Sequence, residues 1–264
     1  MIVLDLFSTR ELLWNLTLRE LRTRYKRSAL GWLWSLLNPL GTMLVFALVF
    51  GEILDVKAPL GNPSQLDSFP LYLLCGLLPW SFFSTSVTTS MSNLVGNAGL
   101  VRKVWFPREH LVLATVIALM VSLAIEYTLA MVALTIVGNF VLPWVPLIAI
   151  VLLLLSLFTA GLSLFLAAAN VYFRDLTHLW TILAQMWFYA TPIVYPLTLV
   201  PEKYKFVYGL NPMTRFVTAL RNLAYDMRMP TGATIAYLFV VSIGTFLIGL
   251  TLFRRMSRRF AEEL

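Results

Sequence analysis

Residues 127–173 read YTLAMVALTIVGNFVLPWVPLIAIVLLLLSLFTAGLSLFLAAANVYF, a stretch of the chain without any Asp, Glu, Lys or Arg. About 20 apolar residues are enough for a helix to cross the hydrocarbon core of a bilayer, so this stretch is long enough for two crossings. Turn signals stand near its centre, at Gly138, Asn139, Pro143 and Pro146. We therefore predict two membrane-spanning helices joined by a short turn.

Further charge-free stretches recur along the 264 residues of the chain, at residues 28–51, 68–101, 176–201 and 229–253. Only 12% of the residues are charged, whereas about 25% is usual in soluble domains. The pattern predicts an all-α integral membrane protein that forms a single domain over residues 1–264. Dividing the stretches at Pro, Gly and charged residues predicts six spans, at residues 31–54, 70–92, 110–137, 144–170, 177–197 and 234–253.

Lysine and arginine residues are unevenly distributed between the loops of this six-span arrangement. Fourteen of the 20 fall on the side that carries both termini, and six fall on the opposite side. Because short cytoplasmic loops carry the excess of Lys and Arg, both termini are predicted to be cytoplasmic. The basic residues flank apolar runs and form no long basic face, so no nucleic acid partner is expected.

Two segments outside the spans have patterns of their own. In the segment 8–27, Trp14, Leu18, Leu21 and Tyr25 recur at helical spacing among basic residues, which favours an amphipathic helix in the cytoplasmic headgroup region. A solvated helix packed on a partner is the alternative. Residues 198–233 mix apolar and charged residues, which predicts short re-entrant or amphipathic helices between spans five and six.

The sequence carries little of the chemistry that an enzyme or a metal protein needs. It contains no GxxxxGK[ST] phosphate loop and no HExxH motif, and Cys75 is its single cysteine. His110 and His178 are isolated, so we expect no catalytic residue, no metal site and no cofactor in this chain. Glu126 is the one acid well inside a span, and a functional role and a packed, hydrogen-bonded role are about equally favoured.

Six local motifs occur in series along the chain. They are LGWLWSLLNPL (residues 30–40), GLLPWSFFSTS (76–86), LVRKVWFPR (100–108), VYFRD (171–175), ATPIVYP (190–196) and LNPM (210–213). Their order and spacing resemble the permease subunits of type-2 ABC exporters, in the branch that exports O-antigen, teichoic acid and cell-wall galactan. The resemblance runs from about residue 10 to the C-terminus.

The resemblance implies a homodimer in the bacterial cytoplasmic membrane, bound to two copies of a separate ATP-binding subunit that would hold ATP and Mg²⁺. It also implies a coupling helix in the first cytoplasmic loop, over about residues 93–107, that docks on that subunit. A basic loop whose aromatic residues lie among the headgroups is the alternative. The coupling candidates are Arg102, Lys103, Trp105, Phe106 and Pro107, with Arg174 and Asp175 in the second cytoplasmic loop.

A path for sugars needs aromatic faces beside sparse hydroxyl groups, and the resemblance places spans one and five around the pore. Pro192 and Pro196 interrupt span five, and a broken helix in a membrane usually lines a cavity. An interfacial aromatic belt is the alternative. The candidates for the substrate path are Phe46, Phe50, Trp187, Phe188, Tyr189 and Tyr195, and those for an outer gate are Asn211, Pro212 and Met213.

The resemblance predicts a permease, without covalent chemistry of its own, that exports a polyprenyl-diphosphate-linked glycan of the O-antigen, galactan or teichoic acid type. Membrane lipids would surround it. Two alternatives remain open at this point. One is a type-2 ABC exporter of drugs or lipids, and the other is an intramembrane glycosyl or acyl transferase.

Overall fold

The computed structural model describes residues 10–25, 33–53, 59–103 and 106–260, and within these ranges the regular structure is entirely helical. This confirms the predicted all-α class for the described part of the chain. The helices, in chain order, are α1 (Arg10–Tyr25), α2 (Leu33–Phe46), α3 (Phe69–Gly96), α4 (Ala98–Lys103), α5 (Glu109–Ile136), α6 (Val145–Tyr172), α7 (Leu176–Tyr189), α8 (Glu202–Leu210), α9 (Pro212–Ala224) and α10 (Gly232–Met256).

Four helical segments among the described residues are long and apolar enough to cross a membrane. They are Phe69–Gly96, Glu109–Ile136, Leu142–Tyr172 and Gly232–Arg259, each 28 to 31 residues long. Their positions agree with predicted spans two, three, four and six. The first predicted span corresponds to α2, which continues as a π-helical segment over Ala47–Ile53.

The helix in the fifth predicted span, residues 177–197, is shorter than the predicted span. α7 ends at Tyr189, so its 14 residues extend only about 21 Å, less than the roughly 30 Å of a hydrocarbon core. Pro192 cannot donate a backbone hydrogen bond and disfavours helical backbone at Thr191, which explains the early end. The following residues turn and form a short 3-10 segment at Leu197–Leu199.

The bundle is built around α3, which packs on α5, α6 and α9 and also touches α2 and α7. The most extensive helix pair is α6 with α10. Their backbones meet at Gly161 and Gly249: a Cβ atom on Gly249 would overlap the carbonyl group of Gly161. Small residues that allow such close approach are typical of helix contacts in membranes.

The N-terminal helix α1 packs along α5 at the end of the bundle where α3 ends. It buries Leu16 and Thr17, whereas the side chain of Trp14 is 60% exposed. The buried face of α1 is therefore not the stripe that begins with Trp14. Residues 8, 9, 26 and 27 of the predicted interfacial helix lie outside the described ranges.

Helix α9 is inserted into the bundle, while α8 is largely exposed. The ring of Phe216 lies 5.7 Å from that of Phe158, which is about 20 Å along α6 from its first residue. The other end of α9 meets the α5–α6 connection, where the amide of Asn139 donates to the carbonyl of Ala224 at 3.1 Å. Helix α9 therefore runs from the middle of the bundle to one end, as a re-entrant helix does.

Candidate transport path and coupling surface

Asn211 joins the end of α7 to the start of α9. Its amide nitrogen donates to the carbonyl of Ala190 and to the hydroxyl of Thr191, both at 3.1 Å. Its side-chain oxygen accepts from the backbone N–H of Met213 at 3.0 Å, which caps α9, and from the indole N–H of Trp187 at 2.8 Å. One polar side chain therefore fixes the point where span five is interrupted.

Arg221 holds the interrupted segment from the other side. Its side chain is buried, and its guanidinium donates to the carbonyls of Pro192 and Ile193, both at 2.5 Å. It also donates to the Tyr72 hydroxyl at 2.9 Å and lies 3.7 Å from the centre of the Tyr72 ring. Gly76 allows this approach, because a Cβ there would lie 2.8 Å from the guanidinium. Arg221 thus supplies the donors that the non-helical backbone lacks.

Trp187 belongs to an aromatic cluster inside the bundle. Its ring centre lies 5.2 Å from that of Phe83 and 6.5 Å from those of Trp80 and Trp180, in edge-to-face geometry. Aromatic pairs of this kind stabilise packing beyond the area that they bury. Trp187 is half-buried, with its indole bonded to Asn211 and its ring packed in this cluster.

The remaining aromatic candidates lie at the edge of this cluster. Phe188 lies 6.0 Å from Phe46, which in turn lies 5.7 Å from Phe50, so spans one and five meet through these rings. Tyr189 is 59% exposed, while the Tyr195 hydroxyl donates to the Tyr189 backbone carbonyl at 2.6 Å. Of the six candidates, Tyr189 therefore presents the most accessible face.

The three predicted outer-gate residues have different surroundings. Asn211 forms the hydrogen bonds described above, Pro212 is the first residue of α9, and Met213 is fully buried.

The chain that follows α9 is also held by polar contacts. Asp226 accepts from the backbone N–H of Asn62 at 3.3 Å and pairs with Arg228 at 3.4 Å, and burial raises the pKa of its carboxyl group. The loop before α3 is thereby fixed to the end of α9.

The predicted coupling residues lie on and around α4. Lys103, the last residue of α4, is exposed, and Phe106 and Pro107 are half-buried, with Phe106 packed against the core. Arg102 also falls in α4, and Trp105 lies outside the described residues. Arg174 and Asp175 are exposed in the α6–α7 turn, at the same end of the bundle. Lys103, Arg174 and Asp175 are accessible to a partner there.

Contacts at the same end of the bundle as Lys103, Arg174 and Asp175 hold the end of α10 to the start of α5. The guanidinium of Arg254 donates to the Glu109 carboxylate at 2.9 Å, and Arg108 donates to the backbone carbonyl of Ser257. The Tyr172 hydroxyl, at the end of α6, donates to the Met256 carbonyl at 2.7 Å. The first residues of α5 and the last residues of α6 and α10 therefore lie at one end of the bundle.

Arg221 is the main functional candidate that the sequence analysis missed, because it was counted only among the basic residues of the outer side. A signal for its burial exists. Met213, Phe216, Val217 and Leu220 form an apolar face at helical spacing, and Arg221 lies on that face, four residues after Val217. An arginine on the apolar side of a helix points to a buried role.

The other singled-out groups add no reactive cluster. The side chain of Glu126 is 8% exposed, within α5, and Cys75 is buried in α3. The part of the chain that the structure describes holds no group of three or more His, Cys, Asp or Glu residues placed to bind a metal ion. The described residues therefore define a membrane-embedded helical bundle with a buried aromatic cluster, an interrupted helix and an inserted helix at its centre.

Comparison with known proteins identifies the family within this class. Residues 11–225 match the family described as ABC-2 type transporter, and the chain belongs to that family. It is 34% identical to the O-antigen export system permease protein RfbA of Myxococcus xanthus, over all of this chain and 99% of the relative. It is 30% identical to the RfbA of Klebsiella pneumoniae, over 96% of this chain and 95% of the relative. It is 27% identical to the polysialic acid transport protein KpsM of Escherichia coli, over 90% of this chain and 91% of the relative.

Proposed function

We propose that this chain is the membrane subunit of an ATP-driven exporter that moves a lipid-linked polysaccharide from the cytoplasmic leaflet to the outside. The observation that carries the proposal is the match along the whole chain to an O-antigen export permease. A second relative, named for polysialic acid transport, also handles a long glycan. The shared substrate class is a polymer, which favours glycan export over the export of drugs or single lipids.

The direct test reconstitutes the purified permease with its ATP-binding partner in proteoliposomes. A polyprenyl-diphosphate-linked glycan of at least ten sugars, labelled at its non-reducing end, should become accessible to an external glycosidase only when ATP is present. A small lipid of the same headgroup without the glycan serves as the competing substrate. ATP-dependent flipping of that lipid, with no export of the polymer, would reject the proposal in favour of a lipid exporter.

We propose that the functional unit is a homodimer with six crossings in each chain and both termini in the cytoplasm. In this arrangement α7 enters from the cytoplasmic side, and residues 190–201 complete the fifth crossing. The contacts that gather the start of α5 and the ends of α6 and α10 at one end support the alternation of directions. That end carries α4 and the basic residues after α10, as a cytoplasmic face does.

Labelling of single cysteines tests the orientation, in a Cys75→Ser background. Asp67→Cys and Lys203→Cys are exposed positions and should react with an impermeant thiol reagent added to intact cells. Gly99→Cys, where a side chain meets nothing within 4 Å, should react only after the membrane is opened. External labelling at residue 99 in sealed cells would show that the orientation is opposite to the one proposed.

The proposed energy coupling runs through α4 into the bundle. The chain has no phosphate loop of the GxxxxGK[ST] type, so the ATP-binding subunits supply hydrolysis. Each would dock on α4 and on the α6–α7 turn, where Lys103, Arg174 and Asp175 are exposed. Closure of the ATP-binding subunits would move α4 and the helices that adjoin it.

A charge reversal tests this docking surface. Lys103→Glu should weaken the association of the ATP-binding subunit about tenfold, because a charge of the wrong sign at an interface slows encounter and repels the partner. Lys203→Glu, at an exposed lysine on α8, is the matched control and should bind the subunit as the wild type does. Binding is measured by titrating the purified permease with the ATP-binding subunit. Equal binding of both variants would show that α4 is not part of the interface.

The proposed glycan path passes the exposed face of Tyr189. Tyr189→Ala should leave the complex folded and active in ATP hydrolysis but reduce glycan export, because the side chain makes its ring contact at the edge of the cluster. Trp187→Ala should instead lower the yield of folded protein, since truncation of a large packed aromatic costs about 3–5 kcal/mol. Folded yield, ATP hydrolysis and export are measured for each variant, and proportional loss of all three in Tyr189→Ala would contradict the path.

A further inference from the structure

A cluster of polar side chains connects three helices at the corner between α3 and α4. The amide nitrogen of Asn93 donates to the Glu20 carboxylate of α1 at 3.0 Å and to the Thr115 hydroxyl of α5 at 2.8 Å. The amide nitrogen of Asn97 donates to the side-chain oxygen of Asn93 at 2.9 Å, and Arg19 of α1 donates to the Asn97 oxygen at 3.0 Å. Two adjacent residues of α1 thus bind the last turn of α3.

The position of Asn97 makes this cluster relevant to α4. Asn97 is the single residue between α3 and α4, and its backbone carbonyl accepts from Leu100 at 2.9 Å, which begins the turn of α4. A hydrogen bond at Asn97 therefore acts at the base of α4. The bond that Arg19 donates and the bond that Glu20 accepts each involve a charged group, which makes them stronger than bonds between neutral groups.

We infer that Asn93 is a positioning residue that fastens α1 to the base of α4, so that the two move as one unit when the ATP-binding subunits act on α4. This inference rests on the proposed function. Asn93 is suited to the role because its NH₂ group donates to two other helices, α1 and α5, while its oxygen accepts from Asn97, the residue that joins α3 to α4. α1 thereby becomes part of the moving element.

Exchanging the donor and the acceptor of the hydrogen bond between Asn93 and Glu20 provides the main test. Asn93→Asp places a carboxylate against Glu20 and should lower the glycan exported per ATP hydrolysed about tenfold, the factor that corresponds to losing one hydrogen bond to a charged group. Adding Glu20→Gln supplies a donor from α1, so the double variant should regain a ratio close to that of the wild type. The Thr115 hydroxyl already donates to the Leu111 carbonyl at 3.0 Å, so it would have to give up that bond to donate to the new carboxylate.

Asn15→Asp is the control, because it makes the same chemical change on the exposed face of α1, the helix that carries Glu20. It should keep the wild-type ratio of export to hydrolysis. Thermal unfolding of each purified complex is measured alongside. If Asn93→Asp does not fold, Glu20→Ala removes the same contact without adding a charge and should also lower the ratio. A wild-type ratio in the folded single variant, or failure of the double variant to recover, would overturn the inference.

A second measurement does not depend on the glycan. Spin labels at Asn15→Cys and Gly99→Cys, in a Cys75→Ser background and diluted with unlabelled protein, report the distance between α1 and α4. This distance should stay constant between nucleotide-free and ATP-trapped complexes, and its distribution should broaden in Asn93→Asp, in the permease alone as well. A distance that changes with nucleotide in the wild type would refute the rigid connection, whichever substrate is exported.

Discussion

Replacing Arg221 by methionine is expected to destabilise the protein by about 2–6 kcal/mol and to abolish export. The change removes the donors to the carbonyls of Pro192 and Ile193, and each buried acceptor left without a donor costs about 1–3 kcal/mol. The segment after α7 would then lose the attachment to α9 that Arg221 provides and would keep the one at Asn211. The change in stability is measured by heating the purified protein and monitoring the loss of its monodisperse peak in size-exclusion chromatography.

Arg221→Lys separates the charge from the geometry. An ammonium group retains the charge but lacks the planar fork that reaches two carbonyls and stacks on Tyr72, so this variant should also be unstable. Arg228→Met is the control, because the Arg228 side chain is 51% exposed. It should unfold within about 1 kcal/mol of the wild type, because the exposed ion pair with Asp226 that it removes contributes no more than that. Wild-type stability of Arg221→Met would show that Arg221 does not hold the interrupted segment.

Replacing Gly249 by leucine should prevent α6 and α10 from packing and should lower the yield of folded protein severely. Even a Cβ atom at this position would overlap the backbone of Gly161, and a backbone cannot turn aside as a side chain can. Overpacking costs about 1–3 kcal/mol in tolerant sites, and separation of this helix pair would exceed that range. Resistance to protease in detergent, compared at equal expression, measures the effect.

Gly244 supplies the matched control on the same helix. A side chain there meets nothing within 4 Å, so Gly244→Ala should leave the stability unchanged or slightly raised. Gly249→Ala should already be less stable than Gly244→Ala. If the two alanine variants unfold at the same temperature, the close approach of α6 and α10 does not limit stability.

The long helices were predictable because their signal is strong and local. The run that ends at Ile136 and the run that begins at Val145 are separated by Gly138 and Pro143, and the helices stop and start there. The end of α7 was misplaced because residues 176–201 lack charge and composition alone does not mark a turn. The interruption at Pro192 and Pro196 was predicted, but the span was still extended to residue 197, although Pro192 already restricts Thr191.

The candidate site was predictable only in part, because its key contacts join distant segments. Trp187, Phe188 and Tyr189 were singled out because they are consecutive aromatic residues close to Pro192, whereas Trp80 and Phe83, which pack on Trp187, were not. Arg221 was not, since charged residues are mostly exposed and its partners lie 28 to 149 residues away. Asn93 was missed for the same reason: an amide at the end of a span resembles an ordinary cap, and its partner Glu20 lies 73 residues earlier.

The burial of α9 sets an order for the biogenesis of the protein. Entry of α9 into lipid on its own would be costly because it contains Arg215 and Arg221, so we expect it to enter the bundle from the connection between α7 and α10. Its final position needs the surfaces of α3 and α6 and the amide of Asn139, which are all synthesised earlier. We therefore expect docking of α9 to be a late maturation step, and chains arrested before it would lack the part of the bundle that α9 fills.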